Sequence, residues 1–167
     1  MKIYKILNNQ IFKNGIYSIV PIRFEDRIDI MNWRNEQILH LRQKEPLTEK
    51  IQTDYFLNNI STNFDSDKPN QILFSFLKKE KCIGYGGLVH INWIDMNSEL
   101  SFVMNTKLEK KFFVRYWSIF LKLIETVAFD ELSLNKIFTY AYDLRPKVYE
   151  ALEQNNFNVE ARLVKHK

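Results

Sequence analysis

The chain has 167 residues, a formal net charge of +4, a single cysteine, 46% hydrophobic and 26% charged residues. This length predicts one domain over residues 1–167 with a full hydrophobic core, and the lone Cys82 excludes a disulfide framework or a cysteine-pair metal site. The scattered basic residues argue against a nucleic acid partner. Without an apolar run of membrane-spanning length, we expect no membrane partner and a cytoplasmic location.

The predicted elements alternate between strands and helices along the chain. Residues 1–15 are polar and form an N-terminal extension. Strands are predicted at residues 17–23, 71–77, 82–93, 98–104, 136–142 and 159–166. Helices are predicted at residues 24–43, 48–60, 117–132 and 146–154. This order predicts a mixed α/β fold with a mostly antiparallel central sheet and helices on both faces.

A basic segment at residues 107–117 is predicted as a loop between the fourth strand and the long amphipathic helix. It carries Lys107, Lys110, Lys111 and Arg115. A cationic loop before a helix N-terminus is suited to a phosphate group. A solvated surface loop is the equally weighted alternative.

Several short phrases, taken together, suggest a family. They are Pro21-Ile22-Arg23, Trp33-Arg34-Asn35, Ile83-Gly84-Tyr85-Gly86-Gly87-Leu88, Ser98-Glu99-Leu100-Ser101-Phe102, Ala128-Phe129-Asp130-Glu131-Leu132, Leu134-Asn135-Lys136-Ile137, and the segment 149–157. In this order and spacing the chain resembles the GNAT superfamily of acyl-CoA N-acetyltransferases. The closest likeness is to the branch with ribosomal-protein N-terminal and amino-sugar acetyltransferases. The resemblance covers residue 17 to the C-terminus and implies acetyl-CoA as co-substrate.

The resemblance also implies where acetyl-CoA binds. In the family a backbone N–H at a bulge of the fourth strand, here within residues 101–103, bonds the thioester oxygen. The implied cofactor-binding residues are Phe102, Val103, Met104, Lys110, Lys111, Arg115, Tyr116, Trp117 and Asp143. The family's glycine-containing phosphate motif falls on residues 112–117, which contain no glycine. The neighbouring cations could compensate by charge, and the aromatic residues of the segment either pack the helix start or line the pantetheine cleft.

Two residues are candidates for the base that deprotonates the acceptor amine. Glu99 is the first, because a carboxylate among apolar strand residues is costly without a purpose. It could instead face solvent or pair with Arg34 or Arg42. His90 is the second, because the ordinary pKa of histidine suits proton relay near neutrality. A structural role for this strand histidine is the alternative.

The last helix and the chain end depart from the family. Its usual asparagine and its thiolate-protonating tyrosine align with Arg145 and Leu152. Tyr149, one turn before Leu152, is a substitute acid or a core aromatic. The family's final strand is missing after residues 159–166, so we expect the last strand of the sheet to be absent. A homodimer could cover that edge.

The acceptor is expected to be a small-molecule amine. The resemblance makes the first helix a wall of the acceptor site, which implicates Trp33, Arg34 and Asn35, with Asn92 helping to shape the pocket. Arg34 could bind a phosphate of a nucleotide-linked amino sugar or form a buried ion pair. We therefore expect an N-acetyltransferase acting on such a sugar, with no metal. The alternatives are a non-catalytic acyl-CoA-binding or assembly module and a protein N-terminal acetyltransferase.

Overall fold

In the computed structural model, which describes residues 2–164, six strands form one sheet in chain order. The strands are β1 (Phe12–Asn14), β2 (Tyr17–Pro21), β3 (Gln71–Lys78), β4 (Lys81–Asn92), β5 (Asn97–Met104) and β6 (Lys136–Phe138). Neighbours from β1 to β5 are antiparallel, and β6 is parallel to β5. The expected mixed, mostly antiparallel sheet is confirmed.

The helices follow the predicted order. They are α1 (Arg27–Glu36), α2 (Glu49–Tyr55), α3 (Ser61–Phe64), α4 (Thr106–Glu125) and α5 (Pro146–Glu153). A π-helical turn at Phe56–Ile60 joins α2 to α3, and another at Thr126–Glu131 extends α4. Among residues 2–164, no helix is both long and apolar enough to cross a bilayer.

Side-chain alternation places helices on both faces of the sheet, as predicted. On one face the ring of Phe102 stacks on Phe120 of α4 at 4.1 Å between centroids, and Phe76 meets Phe120 edge-on. The opposite face, which includes Tyr85 and Ser101, lies under α1 and α2. Burial of these aromatic faces supplies the main stabilisation of the fold.

The N-terminal residues are part of the core, although their polar composition predicted an extension. Tyr4 and Phe12 are buried, and the Tyr4 hydroxyl donates to the Leu73 carbonyl at 2.8 Å while accepting from the Leu73 N–H at 2.9 Å. The side chain of Glu131 accepts hydrogen bonds from Asn8 and Asn9. The sequence reasoning missed β1 because three residues are too few to show a period of two.

The predicted basic loop at residues 107–117 is wrong, since these residues form the first turns of α4. Asn105 caps the helix by accepting the Lys107 N–H at 3.0 Å. The segment contains no glycine, and its leucine, glutamate and lysine residues favour helix, so the helix begins directly after β5. Tyr116 and Trp117 are consequently buried in the core. Their side chains pack the start of the helix, one of the two roles considered for them, and their contact with the cofactor stays a prediction.

The predicted strand at residues 159–166 is also wrong over its described part, because residues 159–164 form no strand; His166 lies outside the described residues. The charged side chains of this segment form ion pairs with other side chains, and its backbone does not join the sheet. Lys136 pairs with Glu160 at 2.6 Å, and Arg162 pairs with Asp143 at 3.2 Å. Within residues 2–164, β6 therefore ends the sheet.

Candidate active site

The parallel strands β5 and β6 pair at one end only and then separate. β5 pairs with β6 only from Asn97 to Glu99. The Thr139 hydroxyl then donates to the Leu100 carbonyl at 3.2 Å, and further along the Gln37 side-chain amide donates to the Met104 carbonyl at 3.0 Å. Between these two bonds, no strand among the described residues pairs with the outer edge of β5, which is therefore an open edge.

The N–H of Phe102 faces this open edge. The Asn105 N–H bonds the Ile83 carbonyl of β4 at 2.9 Å, and in an antiparallel ladder every second residue bonds the same neighbour. The backbone N–H and C=O groups of Val103 therefore bond β4, whereas those of Phe102 and Met104 face the opposite side of β5. The expected bulge within residues 101–103 is wrong, because pairing is regular from Glu99 to Met104 and the irregularity lies between Val89 and Asn92.

The two candidate bases lie next to each other. His90 Nδ1 is 2.8 Å from Glu99 Oε2, and the Arg42 guanidinium donates to Glu99 Oε1. The Glu99 side chain is 7% exposed, whereas His90 is 69% exposed. The Arg42 guanidinium also lies over the Tyr140 ring, 5.6 Å from its centroid. A buried carboxylate thus connects an exposed imidazole to an exposed guanidinium.

The backbone explains how this cluster forms. Glu99 lies opposite Val89 in the β4–β5 ladder. His90 follows at the irregularity with a φ of +51°, a left-handed conformation that is uncommon outside glycine. Because its Nδ1 faces the carboxylate, the Nε2 of the neutral ring is left to accept a proton. The arrangement can orient a histidine for proton transfer.

A cavity of about 320 Å³ lies between the sheet and the helices α1 and α2. Its polar lining consists of Arg34, Gln52, Tyr55, Gln71, Tyr85 and Ser101. No carboxylate lines it among the described residues. Ser101 precedes Phe102, so this cavity adjoins the open edge of β5 and is the candidate acceptor pocket.

The predicted acceptor residues have different positions. Arg34 lines the cavity and donates to the Tyr85 hydroxyl at 2.7 Å and to Gln43 Oε1 at 3.0 Å. Asn35 bonds both backbone groups of Leu47, at 2.7 and 2.9 Å, so it positions the loop that carries Arg42. Trp33 is buried in the core.

Asn92 is not at this cavity. Its side chain donates to Asp95 at 2.8 Å and accepts the Ile94 and Asp95 N–H groups, both at 3.0 Å. These bonds shape the turn between β4 and β5. The expected role in the acceptor pocket is therefore replaced by a role in the hairpin.

A second cavity, of about 290 Å³, lies where α4 and α5 begin. Its lining residues are Glu109, Lys110, Phe113, Arg145, Pro146 and Lys147. Arg145 pairs with Glu109 and donates to Gln37 Oε1 at 3.1 Å, and burial lowers the pKa of its guanidinium. Lys110 and Lys147 supply cationic side chains beside a helix N-terminus, as a bound phosphate requires.

The other predicted cofactor cations are not in this cavity lining. Lys111 and Arg115 are exposed, four residues apart along α4, and so lie on one face of the helix. Asp143 is exposed and pairs with Arg162. Of the charged residues predicted to bind the cofactor, only Lys110 therefore lines this cavity.

Three further side chains bear on the chemistry. Tyr149 is half-buried, and its hydroxyl has no hydrogen-bond partner among residues 2–164, while Leu152 is buried. Burial raises the pKa of Cys82 to about 12, so its thiol stays protonated near neutrality and is a poor nucleophile. No cluster of three histidine, cysteine or acidic residues suited to a metal occurs among residues 2–164.

The sequence reasoning missed Gln37 and Tyr85, and it considered Arg42 only as an ion-pair partner. Each contributes through a contact between distant segments: Gln37 to Met104, Arg42 to Glu99, and Tyr85 to Arg34. A glutamine or tyrosine among ordinary neighbours carries no local signal for such a contact.

Comparison with known proteins identifies the family. The model of the acetyltransferase (GNAT) domain matches residues 19–159, which is most of the chain. A comparison with curated protein sequences finds no significant match. The chain belongs to the GNAT acetyltransferase family.

Solved structures share the fold at low sequence identity. A spermidine N-acetyltransferase from Vibrio cholerae in complex with CoA and spermine is 19% identical, with a TM-score of 0.78, over 92% of this chain and 87% of that chain. A dodecameric structure of a Vibrio cholerae spermidine N-acetyltransferase is also 19% identical, with a TM-score of 0.76, over 92% and 86%. The family membership confirms the expectation of an acetyl-CoA-dependent N-acetyltransferase.

Proposed function

We propose that this enzyme acetylates the primary amine of a small molecule with His90 as the base, oriented by Glu99 and Arg42. The observation that carries the proposal is the 2.8 Å contact between His90 Nδ1 and the buried Glu99 carboxylate. A carboxylate bonded to one ring nitrogen fixes the orientation of the imidazole and leaves the other nitrogen to accept a proton. The exposed ring is accessible to the amine or to a bridging water.

The reaction requires three events. The neutral amine nitrogen forms a bond to the thioester carbonyl carbon, the carbon–sulfur bond breaks, and CoA leaves as a thiolate. The proton lost by the amine passes to His90 Nε2, directly or through a water. The N–H of Phe102, which faces the open edge of β5, is placed to donate to the carbonyl oxygen as negative charge develops there.

We propose the cavity between α1, α2 and the sheet as the acceptor pocket and a nucleotide-linked amino sugar as its ligand. Its lining of tyrosine hydroxyls, glutamine amides and Ser101 offers donors and acceptors for sugar hydroxyls. The similar structures are spermidine acetyltransferases, so a polyamine is the second candidate. A polyamine is a cation, whereas no carboxylate among the described residues lines this cavity, which favours the sugar.

We also propose that acetyl-CoA phosphates bind in the cavity lined by Lys110 and Lys147. The charge of these residues and the N-terminus of α4 support this position. We further propose that residues 1–167 act as one domain in the cytoplasm, where acetyl-CoA is available.

The sheet edge supports a proposal of a homodimer. Among residues 2–164 no strand pairs with the outer edge of β6. Lys136 of β6 pairs with Glu160, and in that C-terminal segment Val159 and Val164 are 74% and 80% exposed. An open edge with exposed apolar residues favours association. A second copy of the chain would cover both.

The direct test is release of free CoA with a panel of amines: nucleotide-linked amino sugars, free amino sugars, spermidine, and a peptide with a free N-terminus. We expect amine-dependent CoA release, with an acetylated product in the mass spectrum and the highest kcat/KM for a nucleotide-linked sugar. The highest kcat/KM for spermidine would instead favour the polyamine. Acetyl-CoA binding without release for every amine would favour a non-catalytic module.

A further inference from the structure

We infer that Arg34 is a specificity-determining residue that binds an oxyanion, a phosphate or a carboxylate, carried by the acceptor. The inference deepens the proposed function and rests on it, because it concerns the acceptor pocket of N-acetyl transfer. Its basis is an arginine that lines a cavity without a carboxylate partner.

The charge of Arg34 is not balanced locally. Its hydrogen-bond partners, the Tyr85 hydroxyl and the Gln43 side-chain carbonyl, are neutral, and no ion pair with it occurs among residues 2–164. By contrast, Arg42 has Glu99 as a partner. A partly buried cation loses solvation that neutral groups restore only in part, so an anionic ligand would complete this site.

The guanidinium also has unused hydrogen-bonding capacity. Of its five N–H donors, one on Nε and one on Nη1 are used, while Nη2 has no hydrogen-bond partner among the described residues. The two existing bonds hold the planar group in place at the cavity wall. A guanidinium fixed in this way presents the paired donors that phosphate and carboxylate oxygens accept.

One cavity connects Arg34 with β5. Tyr85, whose hydroxyl accepts from Arg34, and Ser101 line the same cavity. Ser101 pairs with Gly87, two residues from Tyr85 along β4, and two strand residues span about 7 Å. A single acceptor molecule in this cavity can therefore contact both Arg34 and the β5 residue that precedes Phe102.

Matched pairs of amines test the charge requirement. Glucosamine and glucosamine 6-phosphate differ by a phosphate, and cadaverine and lysine differ by a carboxylate, so the two pairs distinguish the sources of the anion. The variants are Arg34→Gln and Tyr85→Phe, the second removing only one hydroxyl that holds the guanidinium. Arg27→Gln is the control, because Arg27 lies on the same helix outside the cavity lining.

We expect the phosphate or the carboxylate to lower KM in the parent enzyme. Arg34→Gln should raise KM for the member that carries the phosphate or carboxylate by roughly 10- to 100-fold, the range for a hydrogen bond to a charged group, and change KM for the member that lacks this group much less. Tyr85→Phe should change KM in the same direction by less. Equal effects on both members, or no preference for an anion in the parent, would overturn the inference.

Equilibrium binding separates this inference from the proposed function. Calorimetric titration of glucosamine 6-phosphate and lysine into parent, Arg34→Gln and Arg27→Gln proteins needs no turnover. Binding that only Arg34→Gln weakens would support the anion site even if no amine released CoA. Binding of neither probe, or binding that Arg34→Gln leaves intact, would overturn it even if acetyl transfer were found.

Discussion

Glu99 is a buried carboxylate with both oxygens in use, one by Arg42 and one by His90. A charged residue in an apolar strand was enough for the sequence to single it out, and the histidine was found by its ordinary pKa. Their contact could not be predicted, because it depends on the irregular pairing between Val89 and Asn92 and on the positive φ of His90. Local backbone geometry of this kind leaves no periodic trace in the sequence.

Tyr149 is the remaining candidate acid at the residue scale. Its half-buried ring and unpartnered hydroxyl, within residues 2–164, fit neither a core aromatic nor a fixed proton donor. We expect Tyr149→Phe to leave kcat for amine acetylation within about twofold, because a thiolate of moderate pKa can leave unassisted. Steady-state CoA release measures this. A loss of 100-fold or more, with the acetyl-CoA Kd unchanged, would make Tyr149 the acid.

The start of α4 is the element whose structure differs most from its prediction. The sequence predicts a basic loop at residues 107–117 before the helix, but Asn105 caps the helix directly after β5. Helix geometry then divides the cations. Lys110 lines the cavity with Lys147, and Lys111 and Arg115 lie on an exposed face.

Substitutions on α4 test the proposed phosphate site. The triple variant Lys110→Gln, Lys111→Gln, Arg115→Gln should raise the Kd for acetyl-CoA, and more so at low salt, where exposed charges are less screened. Calorimetry measures this, and Lys110→Gln alone should account for most of the change. Lys122→Gln, an exposed lysine in the last turn of the same helix, is the control. An unchanged Kd in the triple variant would contradict the proposed position.

At the scale of the whole molecule, the sequence predicted the element order from the first long strand to the last helix, because most of those elements are long and periodic. The strand predicted at residues 136–142 is shorter in the structure, where β6 ends at Phe138. It missed β1, which has three residues and depends on pairing with β2. It placed a strand at residues 159–166, where apolar and charged residues alternate but, through residue 164, the charges pair with side chains of Lys136 and Asp143. The total of six strands is therefore matched by different segments.

The open edge of β6 predicts that the protein is a homodimer in solution. Light scattering after size-exclusion chromatography should give twice the mass of one chain for the parent. Val159→Asp, which puts a charge on a residue already 74% exposed, should shift the protein toward one chain without lowering its unfolding temperature. Ile16→Asp, in the turn between β1 and β2 at the opposite edge of the sheet and 49% exposed, is the control. A parent with the mass of one chain at high concentration would contradict the dimer.

The central claim is that His90, held by Glu99, accepts the proton of the acceptor amine, and single-residue kinetics test it most directly. We predict that His90→Gln and Glu99→Gln each lower kcat by about 100- to 10,000-fold, the usual contribution of a general base, with the acetyl-CoA Kd and the unfolding temperature unchanged. Glu80→Gln, at an exposed turn, should keep parental kcat. A kcat near that of the parent in His90→Gln, measured with the preferred amine, would contradict the claim.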